Sequence, residues 1–270
     1  MGPIFRWAGS KRKLIPVLNQ YVPSNMNTYY EPFCGSACLF FDLMPEKAVL
    51  SDMNSELIFT YQQIQKNPTE IHEWLISFEV SKEQYQKIRK LVPSELEDAH
   101  RAARFLYLNK LCFNGVYRTN QSGMFNVPMG NKTGAMHTFD QLMNYSKALQ
   151  GVQFFASDYQ NVITNAVSGD FIYLDPPYSK PGNRNRGEYG PNSFHFSDIE
   201  KMMALLGTLE ERGVNFALSY CECDEIRYFC PPAWNIETLD VRRHVAGFNA
   251  HRKTVKEVLI TNQNLFFMAA

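Results

Sequence analysis

An α/β fold built on a mostly parallel sheet is the architecture this sequence predicts, on three observations. Short apolar runs of strand length alternate with helical patterns at both ends of the chain. Several of those runs are apolar almost throughout, which suits strands covered on both faces. At 270 residues and 45% hydrophobic, the chain is long and apolar enough for one large domain or two modest ones.

Strands are expected at 28–33, 47–51, 153–156, 170–175, 214–220, 235–240 and 256–261. Between them lie helices with recognisable starts. Residues 14–21 place Leu14, Val17, Leu18 and Tyr21 on one face. Ser197 with Glu200 makes a capping-box pattern before Met202, Met203, Leu205, Leu206 and Leu209, and Gly213 supplies a stop. The middle of the chain is different. From 54 to 150 no strand pattern appears, and two more capping-box patterns, Ser81 with Gln84 and Ser94 with Glu97, precede helical stretches. Roughly 95 residues exceed any ordinary connection, so 54–150 is predicted to be an inserted helical subdomain, with 1–53 and 151–270 forming the sheet domain. Its exit, 114–135, is rich in Gly, Asn, Thr and Ser and reads as a hairpin or extended loop.

The composition, 14% aromatic and 20% charged, excludes a disordered chain, a collagen and a small disulfide scaffold. No run approaches the ~18 consecutive apolar residues of a membrane helix. The first residues carry no apolar signal-peptide core, and six scattered cysteines suit a reducing, cytoplasmic compartment. Cys221, Cys223 and Cys230 lack the C-x2-C spacing of a zinc site and have no histidine nearby, so thiols are expected and no metal.

The net charge is zero, from 27 basic and 27 acidic residues, which by itself argues against a polyanionic partner. Its distribution argues the other way. Three stretches contain no acid: residues 1–30 with Arg6, Lys11, Arg12 and Lys13; 99–139 with Arg101, Arg104, Lys110, Arg118 and Lys132; and 241–256 with Arg242, Arg243, Arg252, Lys253 and Lys256. They could combine into one positive face for phosphates, or be ordinary solvated surfaces.

Asp175-Pro176-Pro177-Tyr178 is the most informative motif. It follows the apolar run Phe171-Ile172-Tyr173-Leu174, so a strand ends in an acid and then a stiff two-proline exit, at the edge where open α/β sheets bind ligands. The Asp175 carboxylate and the Pro176 carbonyl can then act as paired acceptors beside the Tyr178 ring, a set suited to a planar group bearing an NH2. An amino group conjugated to a purine is a poor nucleophile. Accepting both its hydrogens returns electron density to nitrogen, and the contacts strengthen as positive charge develops there. A strand-ending acid before a rigid turn is the plain structural alternative.

Tyr30-Glu31-Pro32-Phe33-Cys34-Gly35-Ser36-Ala37 follows the first strand with a glycine turn that lets a ligand approach the backbone closely. Asp52 ends the second strand, where an acid can bond both hydroxyls of a ribose. The G-x-G-x-x-G fingerprint is absent, so the ligand implied is nucleoside-like, without a pyrophosphate. Arg6-Trp7-Ala8-Gly9-Ser10-Lys11 adds a small cationic turn near a helix N-terminus, suited to a carboxylate.

Together these residues resemble the Dam-type, alpha-class (D12) DNA adenine-N6 methyltransferases. That family has the order Trp-x-Gly-Gly-Lys, Glu-Pro-Phe-x-Gly, a helical target-recognition insert, then Asp-Pro-Pro-Tyr, and the similarity runs nearly end to end. Tyr117 to Gly130 resembles the family's DNA-reading hairpin (R-x-N-x-x-G-x-F-N-V-P-x-G), and Arg243 to Asn262 its C-terminal block. The resemblance implies a Rossmann-like class I methyltransferase sheet of seven strands, S-adenosylmethionine as donor, and adenine in double-stranded DNA as acceptor, reached by base flipping. It further implies roles for particular residues. Trp7 and Lys11 would bound the methionine end of the donor beside Glu31, Phe33 and Gly35. Asp52 would take the ribose, and Asp158 and Tyr159 the donor's adenine. Asp175, Pro176, Pro177 and Tyr178 would hold the target base, with Asp175 also facing the donor. Arg118, Thr119, Asn120, Ser122, Asn126, Pro128, Lys180, Arg184, Arg186, Arg243 and Arg252 would meet DNA.

Departures are Ser10 for the second Gly of the first motif, Ala37 in the glycine-rich turn, and Thr119 where relatives carry an aromatic able to wedge into the base stack. Residues 179–195 are predicted to be a lid that orders on DNA. GATC is the recognition sequence the hairpin suggests. A cognate restriction endonuclease, a monomeric state and a bacterial or phage-infected host are expected alongside. An RNA adenine or DNA cytosine-N4 methyltransferase, or a catalytically silent DNA-binding relative, are the alternatives.

Overall fold

The computed structural model describes residues 1–131, 133–178, 196–243 and 253–263. Its strands are β1 (Tyr29–Glu31), β2 (Ala48–Ser51), β3 (Val152–Phe155), β4 (Phe171–Leu174), β5 (Asn215–Cys221), β6 (Asn235–Arg243) and β7 (Lys253–Thr261). They form one seven-stranded sheet in the order β3-β2-β1-β4-β5-β7-β6. β1 to β5 pair in parallel, and β7 runs antiparallel to both β5 and β6. This is the predicted mostly parallel sheet. β1 stops at Glu31 because Pro32 has no N–H to continue the ladder. β6 and β7 each run three residues beyond the predicted strands. They pair with each other from Asn235↔Thr261 to Arg243↔Lys253, through charged positions such as Asp240↔Lys256 that carry no apolar alternation.

Successive side chains alternate between two cores, as the pleat requires. Tyr29, Phe171, Tyr173, Ala217 and Leu259 join one. Tyr30, Ile172, Leu174, Phe216, Leu218, Val258 and Ile260 join the other. The first core is covered by α1 (Ile15–Leu18), α2 (Cys38–Leu43), α3 (Ser55–Lys66), α4 (Pro68–Ile76), α5 (Lys82–Lys90), α6 (Asp98–Leu111) and α7 (Phe139–Ala148). The second is covered by α8 (Tyr159–Ile163), α9 (Phe196–Glu211) and α10 (Asp224–Phe229). Along α9 the buried residues Ile199, Met202, Met203, Leu206 and Leu209 fall at helical spacing. Each such buried side chain contributes ~1.5–3 kcal/mol.

Residues 54–150 are helical and carry no named strand. They share one core with the sheet. Tyr61 of α3 stacks on Phe154 of β3 with ring centroids 5.7 Å apart, and Gln65 donates to the carbonyls of Leu149 and Val152. Within the predicted exit an antiparallel bridge, Thr119↔Phe125, closes a hairpin, and a second, Cys112↔Met129, joins its base two residues before the predicted start.

Three local expectations are corrected. The helix at 14–21 is instead a 3-10 turn, a single turn of α-helix and a second 3-10 turn; Pro16, in the first α turn, has no N–H with which to extend the ladder from the turn before it. It still buries Leu14, Leu18 and Tyr21. Ser94 is not a cap: Pro93 starts a tight 3-10 turn, and α6 begins only at Asp98, with Glu97 at the N-cap and no side-chain bond there. Ser197 lies inside the first turn of α9, which starts one residue earlier. Ser81 does cap α5, accepting from the Gln84 N–H at 3.1 Å. A complete capping box occurs at Thr138 and Gln141 on α7, a pairing the sequence reading passed over.

The order of the sheet decides where a ligand can sit. From β1 the chain moves to β2 and β3 on one side; from β4 it moves to β5 on the other. β1 and β4 are neighbours whose connections part in opposite directions, and a crevice opens beyond their carboxyl ends. The turn after β1 carries Glu31 to Ala37, and the turn after β4 carries Asp175 to Tyr178.

The first of these turns is tight. Gly35 has φ +44° and Ala37 has φ +48°, both left-handed. A Cβ on Gly35 would lie 2.6 Å from Trp7 Cδ1. Gly35→Ala is therefore expected to lower stability by about 2 kcal/mol or more, since strain and overlap add. Ala37→Gly is expected to stay within about 1 kcal/mol of the parent, because relieved left-handed strain offsets the freer unfolded chain and the lost buried methyl. Urea unfolding of both variants checks the contrast.

Candidate active site

The two-proline corner leaves Asp175 half-buried, Pro176 buried, and Pro177 and Tyr178 partly exposed. Tyr178 rests against Tyr220 of β5, edge to face with centroids 5.1 Å apart. The nearest cation is Lys11, whose Nζ lies 2.6 Å from Asp175 Oδ1 and 2.8 Å from the Tyr178 hydroxyl. Lys11 is buried, and on its other side Glu257 Oε2 lies 3.7 Å from the same nitrogen. The first motif thus reaches across the crevice to the fourth. Lys11 was expected at the methionine end of a donor; its ammonium is engaged here with the two-proline corner.

Glu31 sits beneath this group, buried among protein atoms. Its Oε2 accepts from the Tyr29 hydroxyl at 2.8 Å and from the Phe40 N–H at 3.3 Å. Phe40 is in the first turn of α2, whose N-cap, Ala37, has no side chain able to cap. A carboxyl thus arrives from β1 to fill that role. Burial raises its pKa to about 8, against the lowering effect of the Tyr29 and Phe40 bonds and with a further push upward from Asp175. Tyr173 and Ser219 extend the same buried polar layer, their hydroxyls 3.1 Å apart.

Asp52 follows β2 and is held by the backbone. Oδ2 accepts from the Gly35 N–H at 3.1 Å and Oδ1 from the Asn54 N–H at 2.9 Å. Burial raises its pKa, and those two N–H groups oppose the rise. The Gly35 carbonyl accepts from Tyr61 at 2.9 Å, so the turn is fixed from both sides. Phe33 and Tyr159 face each other with centroids 5.2 Å apart. Asp158 caps α8 through the Gln160 N–H at 2.9 Å. Trp7 closes the group from above, covering Gly35 and stacking on Tyr117 at 6.2 Å.

The hairpin residues are arranged by local bonds. Arg118 Nε donates to Asn126 Oδ1 at 2.7 Å, so the guanidinium is held with its terminal nitrogens directed away from that contact. Asn120 Oδ1 accepts from the Ser122 and Met124 N–H groups at 3.0 and 2.9 Å, which shapes the tip. The Pro128 carbonyl accepts from Phe113 N–H at 2.9 Å at the base, and Thr119 belongs to the closing bridge. Arg243 ends β6. Lys180, Arg184, Arg186 and Arg252, and the lid expected at 179–195, lie outside the described residues.

The charge pattern alone overcounted the positive face. Arg104 is buried and donates to the carbonyls of Ile88 and Arg89. Arg101 is bridged to Glu56, and Arg6 donates to the carbonyls of Lys110 and Cys112. The sequence reading also missed Glu257. Its signal was an acid at an inward-facing register of the strand, in line with the buried Leu259 and Thr261. Among the described residues no group of three His, Cys, Asp or Glu side chains is placed to hold a metal ion, and the six cysteines are thiols. No helix among them is long and apolar enough to cross a membrane.

Sheet order and crevice together define a class I methyltransferase fold. The family comparison agrees: residues 7–244 match the D12 class of N6 adenine-specific DNA methyltransferases, and the chain belongs to that family. It is 31% identical over 270 residues to the Type II methyltransferase M1.LlaDCHI of Lactococcus lactis subsp. cremoris, covering 96% of this chain and 95% of that one. It is 30% identical to the Type II methyltransferase M.MjaIII of Methanocaldococcus jannaschii, with 96% and 98% covered. It is 27% identical to the DNA adenine methylase of Escherichia coli K12, with 94% and 92% covered. The protein is thus an adenine-specific DNA methyltransferase, and the RNA, cytosine and silent alternatives give way.

Two buried groups make stability depend on pH in opposite directions. Glu31 holds its proton more tightly folded (about 8) than unfolded (4.5), so its contribution falls as pH rises through that window. His137, buried with Nε2 3.1 Å from the Ile4 carbonyl oxygen, is depressed by burial from 6.5 to about 4, so its contribution falls as pH drops through that window. Thermal unfolding from pH 4 to 9 is expected to show both limbs, each on the order of a few kcal/mol at full extent. Glu31→Gln should flatten only the alkaline one and His137→Gln only the acid one.

Proposed function

We propose that this chain transfers a methyl group from S-adenosylmethionine to N6 of an adenine rotated out of duplex DNA, at a site beginning GAT, with GATC the leading sequence. The Asp175 to Tyr178 corner at the β1/β4 crevice is the observation that carries the reading.

The crevice residues fit such a donor. The carboxylate of Asp52 uses two backbone N–H groups to fix its direction and keeps acceptor capacity for two ribose hydroxyls. Phe33 and Tyr159 offer aromatic surface, with Asp158 at the adjoining helix start. Gly35 lets the Trp7 indole close over the turn, where any side chain would collide with it. When bound, the donor supplies an electrophilic methyl group.

This chain's residues do the rest. Asp175 Oδ and the Pro176 carbonyl accept the two N6 hydrogens, which returns the nitrogen lone pair from the ring and stabilises the cationic nitrogen as it forms. Tyr178 holds the purine plane in line with the methyl group. The surplus N6 proton leaves to water after transfer, so no general base is needed. Inside a duplex the N6 atom cannot be approached in line, and rotating the nucleotide out costs a few kcal/mol. Hairpin residues Arg118, Thr119, Asn120, Ser122, Asn126 and Pro128, with Lys180, Arg184, Arg186, Arg243 and Arg252, supply the phosphate and base-edge contacts that offset it. On this reading the helices and hairpin within 54–150 read the DNA, and 1–53 with 151–270 bind the donor. The Type II names among its relatives support a restriction endonuclease of the same specificity as a companion.

Sequencing of modified bases in DNA from cells expressing the chain tests acceptor and recognition sequence together. N6-methyladenine in one short motif is expected; modified cytosine or unmodified DNA would reject the proposal. Asp175→Ala is expected to cut methyl transfer by at least ~10²–10³-fold while donor affinity by calorimetry stays within about threefold. Asp52→Ala is expected to weaken donor binding by roughly 10–100-fold, the effect of losing bonds to a charged acceptor.

A further inference from the structure

Glu257 has no part in the mechanism above, yet it lies buried beside it. β7 is the reversed strand of the sheet, so its early residues reach the ligand-binding edge, and Glu257 stands opposite Cys221 there with its side chain almost fully enclosed. An isolated carboxylate in such a place costs several kcal/mol unless a cation serves it. Lys11 is that cation, and it is shared: Nζ is hydrogen-bonded to Asp175 and Tyr178 and lies 3.7 Å from Glu257, within ion-pair range but beyond a hydrogen bond.

The Lys11 ammonium presents N–H donors to Asp175 Oδ1, an atom that the target amino group needs. Both cannot hold the same acceptor in the same way. The lysine stem is flexible, and a shift of about 1 Å toward Glu257 converts the longer contact into a hydrogen bond while releasing Asp175. We infer that Glu257 is a positioning residue for methyl transfer, the second seat to which the Lys11 ammonium moves from Asp175 when the target base enters. The move keeps the ammonium within reach of both carboxylates, so Asp175 exchanges a cation for an aromatic amine while Lys11 stays paired.

This inference rests on the proposed acceptor site, and its test separates the two. A duplex carrying the motif found by modified-base sequencing, with adenine at the target position and 2-aminopurine as its immediate neighbour, reports base extrusion by fluorescence without any donor. Glu257→Gln keeps the shape and removes the charge. It is expected to reduce the extruded fraction about tenfold, since the apparent affinity for the base scales with the fraction of protein whose Asp175 is released. In a Lys11→Met background, where the ammonium is gone, the same Glu257→Gln change is expected to alter the fraction by less than twofold. Glu257→Asp, which retains a seat, should recover part of the loss and serves in place of Glu257→Gln if that variant fails to fold. Equal losses in both backgrounds, or no loss with Lys11 present, would overturn the role of Glu257. Retained methylation in Asp175→Ala would instead overturn the acceptor site itself.

Discussion

Two parallel neighbours, β1 and β4, hand the chain to opposite sides of the sheet, and the chemistry of this protein depends on the gap they leave. Every other residue of the site is placed relative to that gap. Glu31 and Gly35 come from the turn after β1, Asp52 from the end of β2 next door, and Asp175 to Tyr178 from the turn after β4. Lys11 enters from the N-terminal segment and ties the two sides by an ion pair of 2.6 Å. Pairs like this are worth little at a surface but much in a buried setting, where removing one partner leaves the other unserved. The site is therefore a network in which each charge holds the next in place, with the uncharged hydroxyls of Tyr29, Tyr173 and Ser219 filling the layer beneath it.

How much of this was legible follows from what each feature requires. The central strands were readable because a two-faced sheet forces apolar runs, and runs are visible in one dimension, whereas β6 and β7 were cut short where their pairing passes through charged positions. The Asp175 corner was readable because two prolines permit few backbone shapes. Lys11 and Glu257 were not readable as a pair: they are far apart in sequence, and their meeting depends on β7 running backwards between β5 and β6. Glu31 illustrates a third case. Its motif was recognised, but its bonds to Tyr29 and Phe40 give it work inside the protein that sequence order cannot display. The helix starts at Ser94 and Ser197 were misread because a capping pattern is only four residues long. A proline-led 3-10 turn displaces one start, and a helix that begins a residue early absorbs the other.

The charge pattern teaches a related lesson. Arginines that looked like a phosphate-facing stripe are partly internal fasteners. Arg104 binds two carbonyls in the interior, Arg6 ties the N-terminal segment to the end of α6, and Arg101 answers Glu56. Sequence counts charges but does not say which are already satisfied. A net charge of zero is compatible with a DNA substrate for the same reason: what matters is the sign of the surface that meets the phosphates, and buried or bridged cations contribute little to it.

The hairpin shows how such a surface can be selective with few charges. Asn120 uses its carbonyl oxygen to shape the tip, and Arg118 uses Nε to grip Asn126. Both side chains are oriented before any partner arrives, which lowers the ordering cost of binding. Arg118 then has its terminal nitrogens to offer, a fork whose geometry matches the paired acceptors on a guanine edge better than those of any other base. Asn120, with its oxygen committed, retains only donor capacity and cannot make the two-point contact an adenine edge would invite. On the proposed function these local bonds divide the work: Arg118 carries discrimination, and Asn120 maintains the curve that presents it.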